Sequence, residues 1–363
     1  MFQFRARAGE TRYRCRLLCQ LFRNSDIQVC RRDPAGGGRQ SARQDPCRDR
    51  RALSGTGAHA RQTERACLHE PHARQAGRDP QYRRREHDCH NPRQYPAPVF
   101  KDGRGMKVTL LGCGTSVGVP AIGRAGWGAC DPDDPRNRRQ RCAVLVQTDT
   151  TNVLVDAGPD IRNQLLPLGL KKIDTLLVTH THSDHVAGLD DLRAFYWPDR
   201  VELPVHTTEQ HARDIKTRFP YLFEKSPSSP SYFVPPMRLE TIETGTTMNV
   251  GDVDIDIFHQ DHGNTASLGF MFNRKFAYST DVVGLADEVL DALHGVPLWI
   301  VEALRDTPHQ SHSHYDQTFA WIDRVKPAHA VLTHLGLEAD YVELSAICPE
   351  NTEPGVDGMV FSL

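Results

Sequence analysis

The segment His180-Thr181-His182-Ser183-Asp184-His185 puts three imidazoles and a carboxylate into six positions, directly after the apolar run 173–179. Such a cluster is costly in a core and unnecessary on a surface. Its simplest physical use is to hold metal, because neutral imidazole and carboxylate are good ligands for divalent transition ions. In an extended segment alternate side chains share a face, so His180 and His182 can reach one ion. Asp184 and His185 stand where the chain turns towards a helix expected over Val186–Tyr196, and they can reach a second ion beside the first.

Three further donors each follow an expected strand, where loops gather on one sheet edge. His262 follows Val253–Phe258, Asp281 follows Phe276–Thr280, and His334 follows Ala330–Thr333. A carboxylate such as Asp281 can bridge two cations, which lets them approach to about 3.5–4 Å as two-metal hydrolases require.

The elements that must position these donors lie between Met106 and Leu363. Lys107–Gly112 reads as a strand into a Gly-rich turn, and Ala143–Gln147 with Asn152–Asp156 as a hairpin. Short helices are expected at Ile161–Leu168 and over 313–325, and strands at Thr175–Thr179, Leu268–Phe272 and Phe276–Ser279. Two runs of strands interleaved with helices imply an α/β domain of two packed sheets covered by helices. Residues 220–236, rich in Pro, Ser and aromatics, fit no regular element and read as a lid whose rings could stack on a base or sugar.

Residues 1–105 differ in kind. They carry a net charge of +12, against −14 for residues 106–363, and hold six of the ten cysteines. They lack apolar periodicity, so they read as a disordered Arg-rich extension. Their arginines form no regular stripe, which favours a translated upstream stretch ahead of a natural start at Met106 over a basic arm for nucleic acid. No secretory h-region and no apolar stretch of membrane-spanning length occurs, so a cytoplasmic protein with reduced thiols is expected.

The pattern His-x-His-x-Asp-His, followed by His262-Gly263, Ser279-Thr280-Asp281 and Leu332-Thr333-His334, resembles the metallo-β-lactamase-fold hydrolases. The resemblance runs from about Met106 to Leu363. It implies a four-layer αβ/βα sandwich with two divalent ions, Zn²⁺ or Mn²⁺, at one edge. It implies one ion on His180, His182 and His262, and the other on Asp184, His185 and His334, with Asp281 bridging. Asp156, in Val155-Asp156-Ala157-Gly158, matches the family's structural Asp-x-Gly and is expected to organise loops.

The start Leu111-Gly112-Cys113-Gly114-Thr115-Ser116-Val117-Gly118-Val119-Pro120 is similar to the branch holding the phosphoribosyl cyclic phosphodiesterases of phosphonate breakdown, and to tRNA 3′-processing endonucleases. That resemblance implies a small phosphodiester substrate, plausibly a cyclic sugar phosphate or nucleotide. The two ions would lower a water's pKa and neutralise charge on the phosphoryl oxygens, with Asp184 and Asp281 orienting that water. His312, 22 residues before His334, matches an extra histidine of the phosphodiesterase branch and would protonate the leaving oxygen, with His314 as its rival. Ser116 and His314 are candidate substrate contacts. The local run Arg136–Arg141 could hold a small phosphate, although such runs are mostly solvated.

Clustered cysteines that hold an extra zinc in some members are missing here, since Cys130 stands alone in Gly126–Pro132. Segment 219–247 is too short and too acidic or neutral for a tRNA-gripping arm. With the −14 charge it disfavours a nucleic-acid substrate. The alternatives are a tRNA 3′-end nuclease, a non-catalytic metal- or nucleotide-binding module, and an ester or lactone hydrolase. A homodimer is compatible with everything above.

Overall fold

The computed structural model describes residues 105–363; the expected extension lies outside the described residues but for its last residue, Gly105. Strands β1 (Lys107–Gly112), β2 (Ala143–Gln147), β3 (Asn152–Val155), β4 (Thr175–Leu177), β5 (Leu203–Thr207) and β6 (Met237–Thr241) form one sheet in that order. Strands β7 (Thr246–Val250), β8 (Val253–His262), β9 (Thr265–Phe272), β10 (Phe276–Ser279), β11 (Leu298–Glu302), β12 (His329–Thr333) and β13 (Thr352–Pro354) form the second. The last strand, β14 (Met359–Ser362), returns to pair with β1. Both sheets begin with antiparallel pairs and turn parallel, at β3–β4 and at β10–β11.

Period-two alternation places each strand. Val144, Val146, Val153 and Val155 face the second sheet and pack with Ile255, Ile257, Phe270, Phe272, Tyr278 and Ile300 in the central core. Their neighbours Ala143, Leu145 and Leu154 face outwards onto helices α1 (Ile161–Leu165), α2 (Ser183–Val186) and α3 (Leu189–Leu192). Helix α4 (Tyr196–Asp199) continues that run, and α5 (Glu209–Arg218) and α6 (Pro220–Phe223) complete the layer. On the far side α7 (Asp287–Ala292), α8 (Tyr315–Val325) and α9 (Tyr341–Ile347) cover Met271, Ala277, Trp299 and Leu332. The expected helix–sheet–sheet–helix order is therefore present.

Several bounds differ from expectation. The helix expected from Val186 begins at Ser183 and is broken: α2, α3, a 3₁₀ turn (Arg193–Phe195) and α4 follow one another. The break falls at Gly188, where a Cβ would come within 2.1 Å of the Gly158 carbonyl oxygen. Strand β8 runs on to His262, so that ligand candidate ends a strand rather than following one. Residues 220–223 of the expected lid are helical, and Tyr232, Phe233, Val234 and Pro236 line a cleft with Tyr196 and Trp197 of α4. Among the described residues no helix is long and apolar enough to cross a membrane.

Candidate metal centre

The cluster straddles the junction between β4 and α2. His180 and His182 precede the helix, with His182 as its N-cap residue, and Asp184 and His185 occupy its first turn. Gly158 fixes that turn against the β3 end: a Cβ there would lie 2.0 Å from the Asp184 carbonyl oxygen. Asp156, Asp281 and His334 each adopt a left-handed backbone, with φ of +63°, +55° and +55°. Such conformations cost non-glycine residues about 1–3 kcal/mol each and persist where the surroundings over-determine them.

Hydrogen bonds fix which ring nitrogens face inwards. Buried Asp156 accepts from the Thr179 N–H at 2.8 Å, the Thr179 hydroxyl at 2.9 Å and His185 Nδ1 at 2.7 Å. Having given its proton to Asp156, the Thr179 oxygen accepts from His180 Nδ1 at 3.0 Å. His262 Nδ1 donates to the Ser311 carbonyl at 2.7 Å. His180, His185 and His262 therefore all present Nε2 as a lone pair towards the site.

The seven sequence candidates fall into two donor sets, and Glu302, His312 and His334 form a third group beside them. His180, His182, His262 and Asp281 offer ligand atoms that all lie within 4.8 Å of one another, and so do Asp184, His185, Asp281 and His334. Asp281 belongs to both. In the first set His182 Nδ1 lies 2.9 Å from His180 Nε2 and 3.2 Å from His262 Nε2. One N–H on His182 can satisfy only one of those two lone pairs; a cation satisfies all three nitrogens at once. In the second, His185 Nε2 stands 3.0 Å from Asp281 Oδ2 and 3.2 Å from Asp184 Oδ2, yet neither it nor His334 Nε2 makes a well-directed hydrogen bond. Orphaned buried nitrogens facing carboxylates fit a divalent ion.

The electrostatics agree. Burial disfavours the imidazolium form of His185 and His334, but the surrounding carboxylates, Asp281 foremost, outweigh it and raise both well above the ordinary value. Burial likewise would push Asp281 up, yet His334, His185 and His180 hold it well below the usual carboxylate range. In metal-free protein the stabilisation from His185 and His334 is full below the ordinary imidazole value of 6.5 and is lost as pH rises through the raised folded-state values. Chelator-treated protein is therefore expected to lose thermal stability from about pH 6.5 upwards, while metal-loaded protein holds its Tm. Thermal melts across that range, with and without chelator, check this; a level Tm in the chelated protein would contradict the assignment.

His312 joins the site from the loop before α8. Its ring stacks on His334 with centroids 4.8 Å apart, and its Nδ1 donates to Glu302 Oε1 at 2.6 Å. The same oxygen lies 2.9 Å from His334 Nδ1. Glu302 is fully buried at the end of β11 and was not among the sequence candidates; neither was the Ser311 carbonyl. The only sequence signal for Glu302 was an acid closing the apolar run Leu298–Val301.

His314 takes the N-cap position of α8 and belongs to neither donor set. Ser116 is exposed in the turn that Gly118 closes onto the Thr115 carbonyl, and Thr115 is bonded to Leu335, one residue past His334. His206, His211, His294 and His329 stay outside the donor sets. The basic run divides: Arg136 pairs with Asp134 at 2.6 Å, Arg139 is buried, and Arg138 and Arg141 line a cleft of about 480 Å³ beside that turn.

Comparison with known proteins follows from this geometry. The model of the β-lactamase superfamily domain matches residues 151–335. A solved diphosphatase of the PhnP family superposes with a TM-score of 0.65 and 30% identity, over 71% of this chain and 97% of that one. An octanoyltransferase of Porphyromonas gingivalis is 32% identical over 257 residues, 70% of this chain and 51% of that protein. The exodeoxyribonuclease YycJ of Bacillus anthracis is 25% identical over 171 residues, 45% of this chain and 58% of that protein. The chain spans about half the length of the curated relatives it matches. With the four-layer sandwich and paired donor sets at one sheet edge, these matches show that the chain belongs to the β-lactamase superfamily and has the metallo-β-lactamase fold.

Proposed function

We propose that the chain is a two-metal hydrolase of phosphodiesters, acting on a small substrate such as a cyclic sugar phosphate or a nucleotide. The observation that carries this reading is the position of Asp281, one buried carboxylate common to two complete donor sets. His180, His182 and His262 would hold one ion, and Asp184, His185 and His334 the other, with Asp281 shared; Zn²⁺ and Mn²⁺ both suit these donors. When bound, such ions polarise phosphoryl oxygens and lower the pKa of a water.

The chain's own part is placement and proton handling. Asp156, Thr179 and the Ser311 carbonyl lock the imidazole tautomers, so no ring has to reorient to bind. Asp184 would orient and polarise a water beside the ions. His312 has Nδ1 committed to Glu302, so Nε2 is its free nitrogen, the atom that would hand a proton to the leaving oxygen. In the cleft beside the Thr115–Gly118 turn Arg141 is paired with Asp160 at 2.9 Å, which leaves Arg138 as the guanidinium that could meet an anionic group. Relatives named as a diphosphatase and an exodeoxyribonuclease support phosphoester chemistry, whereas the octanoyltransferase, of which the chain spans about half, bears the name of an acyl transfer.

A metal-reconstituted activity screen tests this. Bis(p-nitrophenyl) phosphate and cyclic phosphates are set against carboxylic esters, lactones and thioesters. Turnover of the phosphodiesters alone is expected; turnover of only the carbonyl compounds would overturn the reading.

A further inference from the structure

Beside the metal centre lies a second concavity with different chemistry. A cleft of about 390 Å³ is lined by Tyr196, Trp197, Tyr221, Tyr232 and Phe233, with Arg193 and Arg200 at its edge. Trp197, Tyr221 and Tyr232 are 59%, 46% and 81% exposed, which is unusual for large rings clustered on one face. The Arg200 guanidinium lies over both Trp197 and Tyr196, 5.2 Å and 5.8 Å from the ring centroids, and has no carboxylate partner among the described residues. Arg193 pairs with Asp190 at 3.4 Å.

Both walls of the cleft are rooted in the metal-bearing loop. One wall is α4, the far end of the helical run that begins at Ser183 and carries Asp184 and His185 in its first turn. The other is α6 and the stretch after it. These follow Arg218, whose Nη1 donates to the carbonyl of Thr181, between His180 and His182. Counted at about 1.5 Å per helical residue, the run from Asp184 to Trp197 covers about 20 Å. A stacked strand rises about 3.4 Å per nucleotide, so that span corresponds to about six nucleotides.

From this we infer that the aromatic cleft is a base-stacking platform for a short single-stranded oligonucleotide whose scissile phosphodiester lies at the metal donors. Aromatic faces with an unpaired guanidinium are what sequence-tolerant stacking needs. The inference rests on the phosphodiesterase reading and extends its substrate from a small diester to a single strand. The net −14 of residues 106–363 is an average over the surface; at the cleft Arg200 supplies positive charge beside the ring faces.

Oligothymidylates of two to ten nucleotides ending in a p-nitrophenyl phosphodiester, at either end, provide the test with metal-reconstituted protein. For the unaltered protein kcat/KM is expected to rise with length, by about tenfold or more in all, and to level off near six nucleotides. In the double variant W197A/Y232A, which alters two exposed rings, the two- and six-nucleotide substrates are expected to be cleaved alike. No dependence on length, or the same dependence in the variant, would overturn the inference. If even methyl p-nitrophenyl phosphate is not hydrolysed, it is the phosphodiesterase reading that fails. Trp197 fluorescence then decides the cleft separately. Saturable quenching by the six-nucleotide oligothymidylate, lost in W197F, upholds the platform. No quenching, or quenching by sodium octanoate instead, overturns it.

Discussion

Asp281→Ala is expected to lower kcat/KM on bis(p-nitrophenyl) phosphate by on the order of 10³-fold or more, and to leave the protein unable to hold two ions together. The magnitude follows from what the carboxylate does. Its oxygens lie 3.0 Å from His185 Nε2, 3.5 Å from His334 Nε2, 3.7 Å from His262 Nε2 and 3.8 Å from His180 Nε2. No other carboxylate among the described residues reaches both donor sets. Losing several kcal/mol of charge stabilisation in the transition state corresponds to three or more powers of ten in rate.

Charge balance separates this substitution from a packing defect. Without Asp281 five imidazoles, those of His180, His182, His185, His262 and His334, face one another with Asp184 as the one carboxylate left in the two sets; Asp156 and Glu302 stand behind His185 and His334. Metal content by atomic emission is expected to fall from two ions per chain to one or none, with circular dichroism unchanged. Asp281→Asn keeps the shape and one acceptor but removes the charge, so it is expected to lose nearly as much activity as the alanine variant. An asparagine variant with two ions and near-normal rates would refute the shared-carboxylate assignment.

The seven candidate donors were legible because their chemistry is local: His262, Asp281 and His334 each end or follow a strand, and the other four fall within six residues. The supporting shell was less legible, and for a physical reason. Glu302 acts through His312 and His334, ten and 32 residues further on, and through the Val282 N–H beside Asp281, and a lone acid after Leu298–Val301 carries no periodicity to betray it. The Ser311 carbonyl that orients His262 is backbone, which any residue could supply. Asp156 was placed as a loop organiser, and it does that by three hydrogen bonds to Thr179 and His185. The sandwich followed from alternation in the hairpin 143–155, whereas the start of α2 was set three residues late. His182, Ser183 and Asp184 were read for their ligand chemistry, yet a helix begins among them, with Asp184 near the positive end of its dipole. The choice between His312 and His314 needed tertiary contacts: two residues apart, one stacks on His334 and the other starts a helix.

His312→Ala carries the second large effect, and the leaving group decides how large. A general acid contributes about 10²–10⁴-fold when the departing oxygen needs its proton. p-Nitrophenolate leaves readily without one, so the variant is expected to lose little on bis(p-nitrophenyl) phosphate. On an alkyl or cyclic phosphodiester, whose leaving alkoxide is strongly basic, the loss should reach about 10²-fold or more. Glu302→Gln tests the partner that positions this ring. Burial would raise the Glu302 carboxyl, but His312 and His334 outweigh it and keep it ionised, which fixes His312 by a charge-assisted bond at 2.6 Å. The glutamine variant keeps the shape without the charge. It should fold and bind metal, and show the same dependence on leaving group in weaker form. Equal losses on good and poor leaving groups in His312→Ala would make His312 a binding residue instead, because an anchor for the phosphoryl oxygens is needed whatever the departing group.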